Sequence, residues 1–178
     1  ELRKNENLSE WFYVPSWKRE VLPPQQISTS TTSWLIFLDA TELGESIAQR
    51  LQQNGDQVVT VQAGTTFSQL GEQAYAIDPD RKQDYETLFQ TLADQNQFPQ
   101  QLLHFWNVTP NSQQGEDCFY QLLFLAQALG KQELSEQLPL TIITSEQYDV
   151  TGTEPLSPEK ATVQGICKVI PQEYPHLP

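Results

Sequence analysis

Trp34-Leu35-Ile36-Phe37-Leu38-Asp39-Ala40-Thr41-Glu42-Leu43-Gly44 decides the fold. Five apolar residues in a row are too short for a helix core and suit a strand buried on both faces. Asp39-Ala40-Thr41 is a short polar turn, and Glu42 opens a stretch with apolar or small residues at helical spacing: Leu43, Ile47, Ala48 and Leu51. Asn54-Gly55 supplies the helix stop. Strand, tight turn and helix in this order form the unit that grips a pyrophosphate in nucleotide-binding α/β proteins.

Working outward, the pattern repeats. Gln57–Val61 reads as a second apolar strand, and residues 65–78 as one or two short ones ended by Asp78-Pro79. Arg81–Asp94 is amphipathic, with Tyr85, Leu88, Phe89 and Leu92 inward. Leu102–Val108 is a further strand, Gly115–Leu129 a long helix, Leu140–Thr144 another strand, and Pro158–Val169 a last helix with proline in its first turn. Alternation at this spacing predicts an α/β fold: a truncated Rossmann-like parallel sheet with helices on both faces. Helix 115–129 is apolar nearly all round, which predicts burial on more than one side; Phe119 and Leu123 are its candidate interface residues.

The N-terminal region reads differently. Residues 1–22 form an extension whose aromatic run, with Trp11, Tyr13 and Trp17 around Pro15, predicts an edge strand that needs a surface to cover. Residues 23–33, rich in Pro, Ser and Thr, read as a linker, and residues 34–178 as the Rossmann-like subdomain. The chain begins at Glu1 and has no methionine, so the expectation is a processed or excised piece of a longer protein. Residues 1–14 contain no apolar segment of the kind that leads a signal peptide, and no run approaches a membrane span; the expected location is cytoplasmic.

A net charge of -13 repels a phosphate backbone and an anionic bilayer alike, so neither nucleic acid nor membrane is an expected partner. The two cysteines, Cys118 and Cys167, fall in separate helices and read as small buried thiols.

Against this fold, the chemistry of a nucleotide site is mostly missing. A dinucleotide turn wants three glycines, for the turn, for phosphate approach and for helix packing. With Gly44 as the third, Asp39 and Thr41 stand at the other two. The short-chain dehydrogenase spacing would need glycine at Leu38 and Glu42. The degenerate turn Asp39, Thr41, Gly44 therefore predicts no cofactor binding by this chain. The second strand ends Val61-Gln62-Ala63-Gly64, with neither an acid for a ribose nor a base for a 2′-phosphate. No tyrosine has a lysine four residues on, no Gly-x-Ser-x-Gly elbow occurs, and no His/Cys/Asp/Glu group has metal spacing. His104 lies mid-strand and reads as a core or sheet-edge histidine bonded to a neighbour; His176 lies in the polar tail. No catalytic residue and no metal ligand is predicted.

Taken in order, the chain resembles the structural subdomain of the ketoreductase region in modular type I polyketide synthases. The residues that carry this are Phe12-Tyr13-Val14-Pro15-Ser16-Trp17-Lys18, the unit from Trp34 through Gly44 to Gly55, and Leu103-His104-Phe105-Trp106. Also similar are Leu122-Leu123-Phe124-Leu125-Ala126-Gln127-Ala128-Leu129 and the closing stretch from Ile143 through Pro158 to Gln172-Glu173-Tyr174-Pro175. The resemblance implies a non-catalytic half that braces a second, NADPH-dependent half reducing β-ketoacyl thioesters on an acyl carrier protein, or a pseudo-ketoreductase beside other synthase domains. It implies NADPH only if a catalytic half follows, and a parent multienzyme of the acyltransferase and ketoreductase kind. Two other readings stay open: a free-standing α/β nucleotide-binding enzyme with an atypical phosphate turn, and a docking module anchored by Trp11, Tyr13 and Trp17.

Overall fold

A computed structural model describes residues 7, 9, 16–21, 30–108, 115–132 and 134–178, with the backbone only at 115–117. The expected N-terminal aromatic edge strand, with Trp11 and Tyr13, and most of the expected linker lie outside the described residues. Ser33, placed in that linker by composition, is the first residue of a strand.

The described elements are β1 (Ser33–Leu38), α1 (Glu42–Gln53), β2 (Gln57–Ala63), β3 (Ser68–Gly71), β4 (Ala74–Ile77), α2 (Lys82–Asp94), β5 (Gln101–Asn107), α3 (Gly115–Leu129), β6 (Leu140–Thr144) and α4 (Thr162–Glu173). The sheet has the order β3-β4-β2-β1-β5-β6. Every pairing is parallel except that of β3 with β4, which is antiparallel at the edge. This is the doubly wound arrangement, with its switch point between β1 and β5.

Side-chain alternation along the strands divides the core between the two faces. Leu35 and Phe37 of β1 join Val59, Val61, Tyr75, Ile77 and Leu102 in a large cluster with α2, α3 and α4. Ile36 points the other way, into a smaller cluster with Val58, Phe105 and Ala48 of α1. Three helices thus cover one face and one covers the other. The imbalance has a local cause. Where a crossover helix would join β2 to its next parallel neighbour, residues 64–73 make the short edge strand β3 instead.

Two helix ends are built alike. At the end of α1, Gly55 (φ 93°) sends its N–H to Gln52 O, and Asp56 N–H reaches Leu51 O. At the end of α2, Asn96 (φ 55°) bonds to Ala93 O and Gln97 to Leu92 O. Both are Schellman closures, one with glycine and one with asparagine in the left-handed position.

Two expectations need correction. Leu43 is exposed, and α1 lies on the sheet through buried Gly44 and Ala48 with Ile47 and Leu51 half-buried. Small residues four apart let the helix axis come close, and the neighbouring leucine is turned outward. The last helix starts later and runs further than its pattern indicates: Pro158–Ala161 is a 3-10 turn, and α4 continues to Glu173 with Pro171 inside its last turn. A proline so near the end of a helix removes a donor where few bonds remain to be lost.

Helix α3 lies between α2 and α4, so its broad apolar surface is largely used within the chain. Phe119 and Leu123 are half-buried against the large cluster, and Tyr120 is half-exposed beside them. No described helix is long and apolar enough to cross a membrane. Neither Cys118, which is buried, nor Cys167, which is half-buried, is joined in a disulfide.

Candidate functional site

In a doubly wound sheet the ligand crevice opens at the carboxyl ends of the strands, at the switch point. Here that place holds Leu38 at the end of β1, Asp39 and Ala40 just after it, and Trp106 near the end of β5.

Asp39 governs the turn. Its Oδ1 accepts the Gly44 N–H at 3.1 Å, and its Oδ2 accepts the Thr41 N–H at 3.1 Å and the Thr41 hydroxyl. Thr41 occupies the usual capping position of α1 but caps no helical amide itself. The carboxylate two residues earlier does so, at the positive end of the helix dipole. Gly44 makes this possible. A β-carbon there would stand 3.0 Å from Asp39 Oδ1, 3.3 Å from Leu38 Cδ2 and 3.4 Å from Phe105 Cδ2. The three residues of the degenerate turn are therefore brought together, and they bind one another.

Trp106 closes the other side. Its indole Nε1 donates to Leu38 O at 2.8 Å, bridging β5 to β1 across the switch point. The ring stands edge-on to Phe37 at 5.0 Å and lies 6.4 Å from Tyr85. What remains is a hollow of about 200 Å³ lined by Leu38, Asp39, Ala63, Trp106, Cys118 and Gln121. Ligand pockets ordinarily span about 300–1,000 Å³. A larger open hollow of about 780 Å³ lies at the opposite, amino ends of the strands, beside Thr32, Phe98, Gln100 and Gln137. The fold does not bring its signature turn there.

The fold implies a dinucleotide, and these residues do not fit one. The helix amide that would meet a phosphate is bonded to Asp39, the small hollow has no cationic side chain among the described residues of its lining, and Glu42 and Glu45 add charge of the wrong sign in the first turn of α1. Among the described residues no group of three His, Cys, Asp or Glu side chains is placed to hold a metal ion.

His104 is fully buried, flanked by Phe37 and Trp106 with ring centroids 5.2 Å away in each case. Burial lowers its pKa to about 3, so the imidazole is neutral. It is a core histidine in an interior strand, as half of the expectation had it. The other half is not met: among the described residues neither ring nitrogen has a hydrogen-bond partner. Asn107, the last residue of β5, is likewise buried, with no partner for its side-chain amide among the described residues.

A second polar cluster was not visible in the sequence. Lys160, in the 3-10 turn before α4, is fully buried. Its Nζ lies 3.2 Å from Ser145 Oγ, 3.4 Å from Ser145 O and 3.6 Å from Glu146 Oε2. Ser157 Oγ donates to the same Glu146 oxygen at 2.8 Å. The cluster ties the carboxyl end of β6 to the start of the last helix. Leu156, four residues before the lysine, is exposed and carries no acid or base.

Of the three expected aromatic anchors Trp11, Tyr13 and Trp17, Trp17 is described. Its indole donates to Asp149 O at 3.1 Å and its ring meets Tyr148 edge-on at 5.2 Å. It remains half-exposed.

No curated protein matches this chain by sequence. Solved structures do match its fold. One is the adenylation, ketoreductase and pseudo Asub multidomain structure of a keto acid-selecting NRPS module, with a TM-score of 0.75 and 24% identity. A second is an N-terminal ketoreductase from the macrolactin assembly line, with a TM-score of 0.71 and 16% identity. A third is the aldohexose dehydrogenase of Thermoplasma acidophilum, with a TM-score of 0.58 and 14% identity. The matches cover 88%, 89% and 82% of this chain, and 14%, 33% and 64% of those chains respectively. The chain thus spans a small part of the two assembly-line proteins and shares the Rossmann-like fold found in both. A family model described as beta-ketoacyl synthase-like, N-terminal, matches residues 33–178, and the chain belongs to that family.

Proposed function

We propose that this chain is a non-catalytic structural subdomain of a polyketide synthase or a related multienzyme, working in the cytoplasm. Its role is packing: it braces a ketoreductase catalytic half or the neighbouring synthase domains. Where a catalytic half is paired with it, that half binds NADPH and reduces the β-ketoacyl group on the acyl carrier protein.

The observation that carries this reading is the closed switch point. The indole of Trp106 is bonded to Leu38 O where a dinucleotide would lie. A free-standing nucleotide enzyme would keep that crevice open. The likeness to ketoreductase-containing structures supports the placement in an assembly line. The docking-module reading draws less support, because the one anchor described, Trp17, is bonded to this chain's own Asp149.

Calorimetric titration of the chain with NADPH and NADP⁺ tests the proposal. No heat of binding is expected. Sub-millimolar binding of either nucleotide would sink it.

A further inference from the structure

We infer that Asp39 excludes the dinucleotide by acting as an internal surrogate for its phosphate. The inference rests on the reading of this chain as non-catalytic and says how the turn came to be closed.

A helix amino terminus presents unpaired N–H groups and a partial positive charge, which together attract an anion. In a dinucleotide fold the pyrophosphate is that anion. In this chain the Asp39 carboxylate accepts from the Gly44 N–H, the Thr41 N–H and the Thr41 hydroxyl. Both of its oxygens are engaged, on donors of the kind a phosphate would use.

The lone glycine kept from the fingerprint has changed its task. In a nucleotide site the third glycine brings helix and strand together. Here Gly44 also leaves room for a carboxylate oxygen, because an added β-carbon would lie 3.0 Å from Asp39 Oδ1. Any residue larger than glycine would displace the internal anion or the helix. The sequence therefore holds a matched pair, Asp39 with Gly44, five positions apart.

Two consequences separate a surrogate from an ordinary turn aspartate. The Thr41 and Gly44 amides already have their acceptor, so an added anion has no place beside them. Removing the carboxylate leaves amide donors and helix charge without an acceptor, and an added anion then has a place.

Thermal midpoints of the wild-type chain, Asp39→Ser and Asp39→Asn test this in a chloride buffer at constant ionic strength, with and without millimolar inorganic pyrophosphate. The wild type is expected not to move with pyrophosphate. Asp39→Ser is expected to lose about 3 °C and to regain much of that loss with pyrophosphate. Asp39→Asn keeps an oxygen for Gly44 and loses the charge, so its fall is smaller. Should the serine variant not fold, the asparagine variant and hydrogen exchange at the Gly44 amide give the same comparison. Three results would overturn the inference: a wild type stabilised by pyrophosphate as much as the variant, a serine variant as stable as wild type without any anion, or a loss that pyrophosphate does not reverse. These are distinct from failure of the functional proposal, which is read from NADPH binding to the unaltered chain.

Discussion

The indole nitrogen of Trp106 donates to the main-chain oxygen of Leu38 at 2.8 Å. The two residues belong to adjacent parallel strands that lead, at their carboxyl ends, to opposite sides of the sheet. Their bond bridges the gap in which a doubly wound fold would hold its ligand and leaves a hollow of about 200 Å³ beside it. The Asp39 turn next to it is satisfied from within.

The first prediction concerns that seal. Trp106→Phe keeps an aromatic ring against Phe37 and removes the donor to Leu38 O. The cost should be about 1 kcal/mol, the net value of one hydrogen bond, read from urea denaturation. The variant should still fail to bind NADPH by calorimetry, because Asp39 remains on the helix amide. Binding in Trp106→Phe would show that the tryptophan alone closed the site.

Gly44 offers a second test. Alanine in place of glycine within a helix ordinarily gains about 1 kcal/mol. At Gly44 the added carbon meets Asp39 Oδ1 at 3.0 Å and two side-chain carbons within 3.4 Å. Steric cost should outweigh propensity, and Gly44→Ala should be less stable than wild type. Combined with Asp39→Ser, the loss should be smaller than the sum of the two, by more than about 0.5 kcal/mol. Additive losses would mean the two residues do not share one site.

How much of this was legible in the sequence depends on distance along the chain. The turn and helix start from Asp39 to Gly44 were readable because their hydrogen-bond partners lie within a few residues, and the strand before them because an unbroken apolar run marks burial on both faces. The same holds for the clash between the dinucleotide fingerprint and Asp39. Leu43 was misplaced because hydrophobic periodicity weights large side chains, whereas α1 meets the sheet through Gly44 and Ala48. The bond from Trp106 to Leu38 spans 68 positions, and Lys160 finds Ser145 only through the turn from β6 to the last helix. Neither leaves a periodic or motif signal. Strand alternation assigns His104 to the same face as Leu102 and Trp106, but it does not reveal that both ring nitrogens lack a hydrogen-bond partner among the described residues.

His104 gives a prediction in pH. Its folded pKa is lowered to about 3 by burial, against an unfolded value of about 6.5. Below pH 6.5 the unfolded chain takes up a proton that the folded chain refuses. The stability is therefore complete above about pH 6.5 and falls as the pH drops towards 3, with a slope of about 1.4 kcal/mol per pH unit. His104→Phe removes this dependence. The difference in unfolding free energy between variant and wild type should widen in the variant's favour from pH 7 to pH 4. A constant difference across that range would show that His104 titrates normally in the folded chain.

Lys160 provides the last. A buried ammonium is tolerable only while its partners stay in place. Here they are the hydroxyl and carbonyl of Ser145 and the Glu146 carboxylate, among others. Glu146 itself has φ 61°, a left-handed backbone that glutamate rarely adopts, and Ser157 binds its carboxylate. Gln147 reinforces the arrangement by donating to Lys160 O at 2.6 Å. Lys160→Met preserves the length of the side chain and leaves Glu146 without its cation. The loss should be about 3 kcal/mol, at the lower end for a broken buried pair, because Glu146 keeps partial access to water. Adding Glu146→Gln should recover part of it, since an amide tolerates the missing cation better than a carboxylate. If the lysine were a reactive group and not a structural tie, Lys160→Met would leave the urea midpoint nearly unchanged.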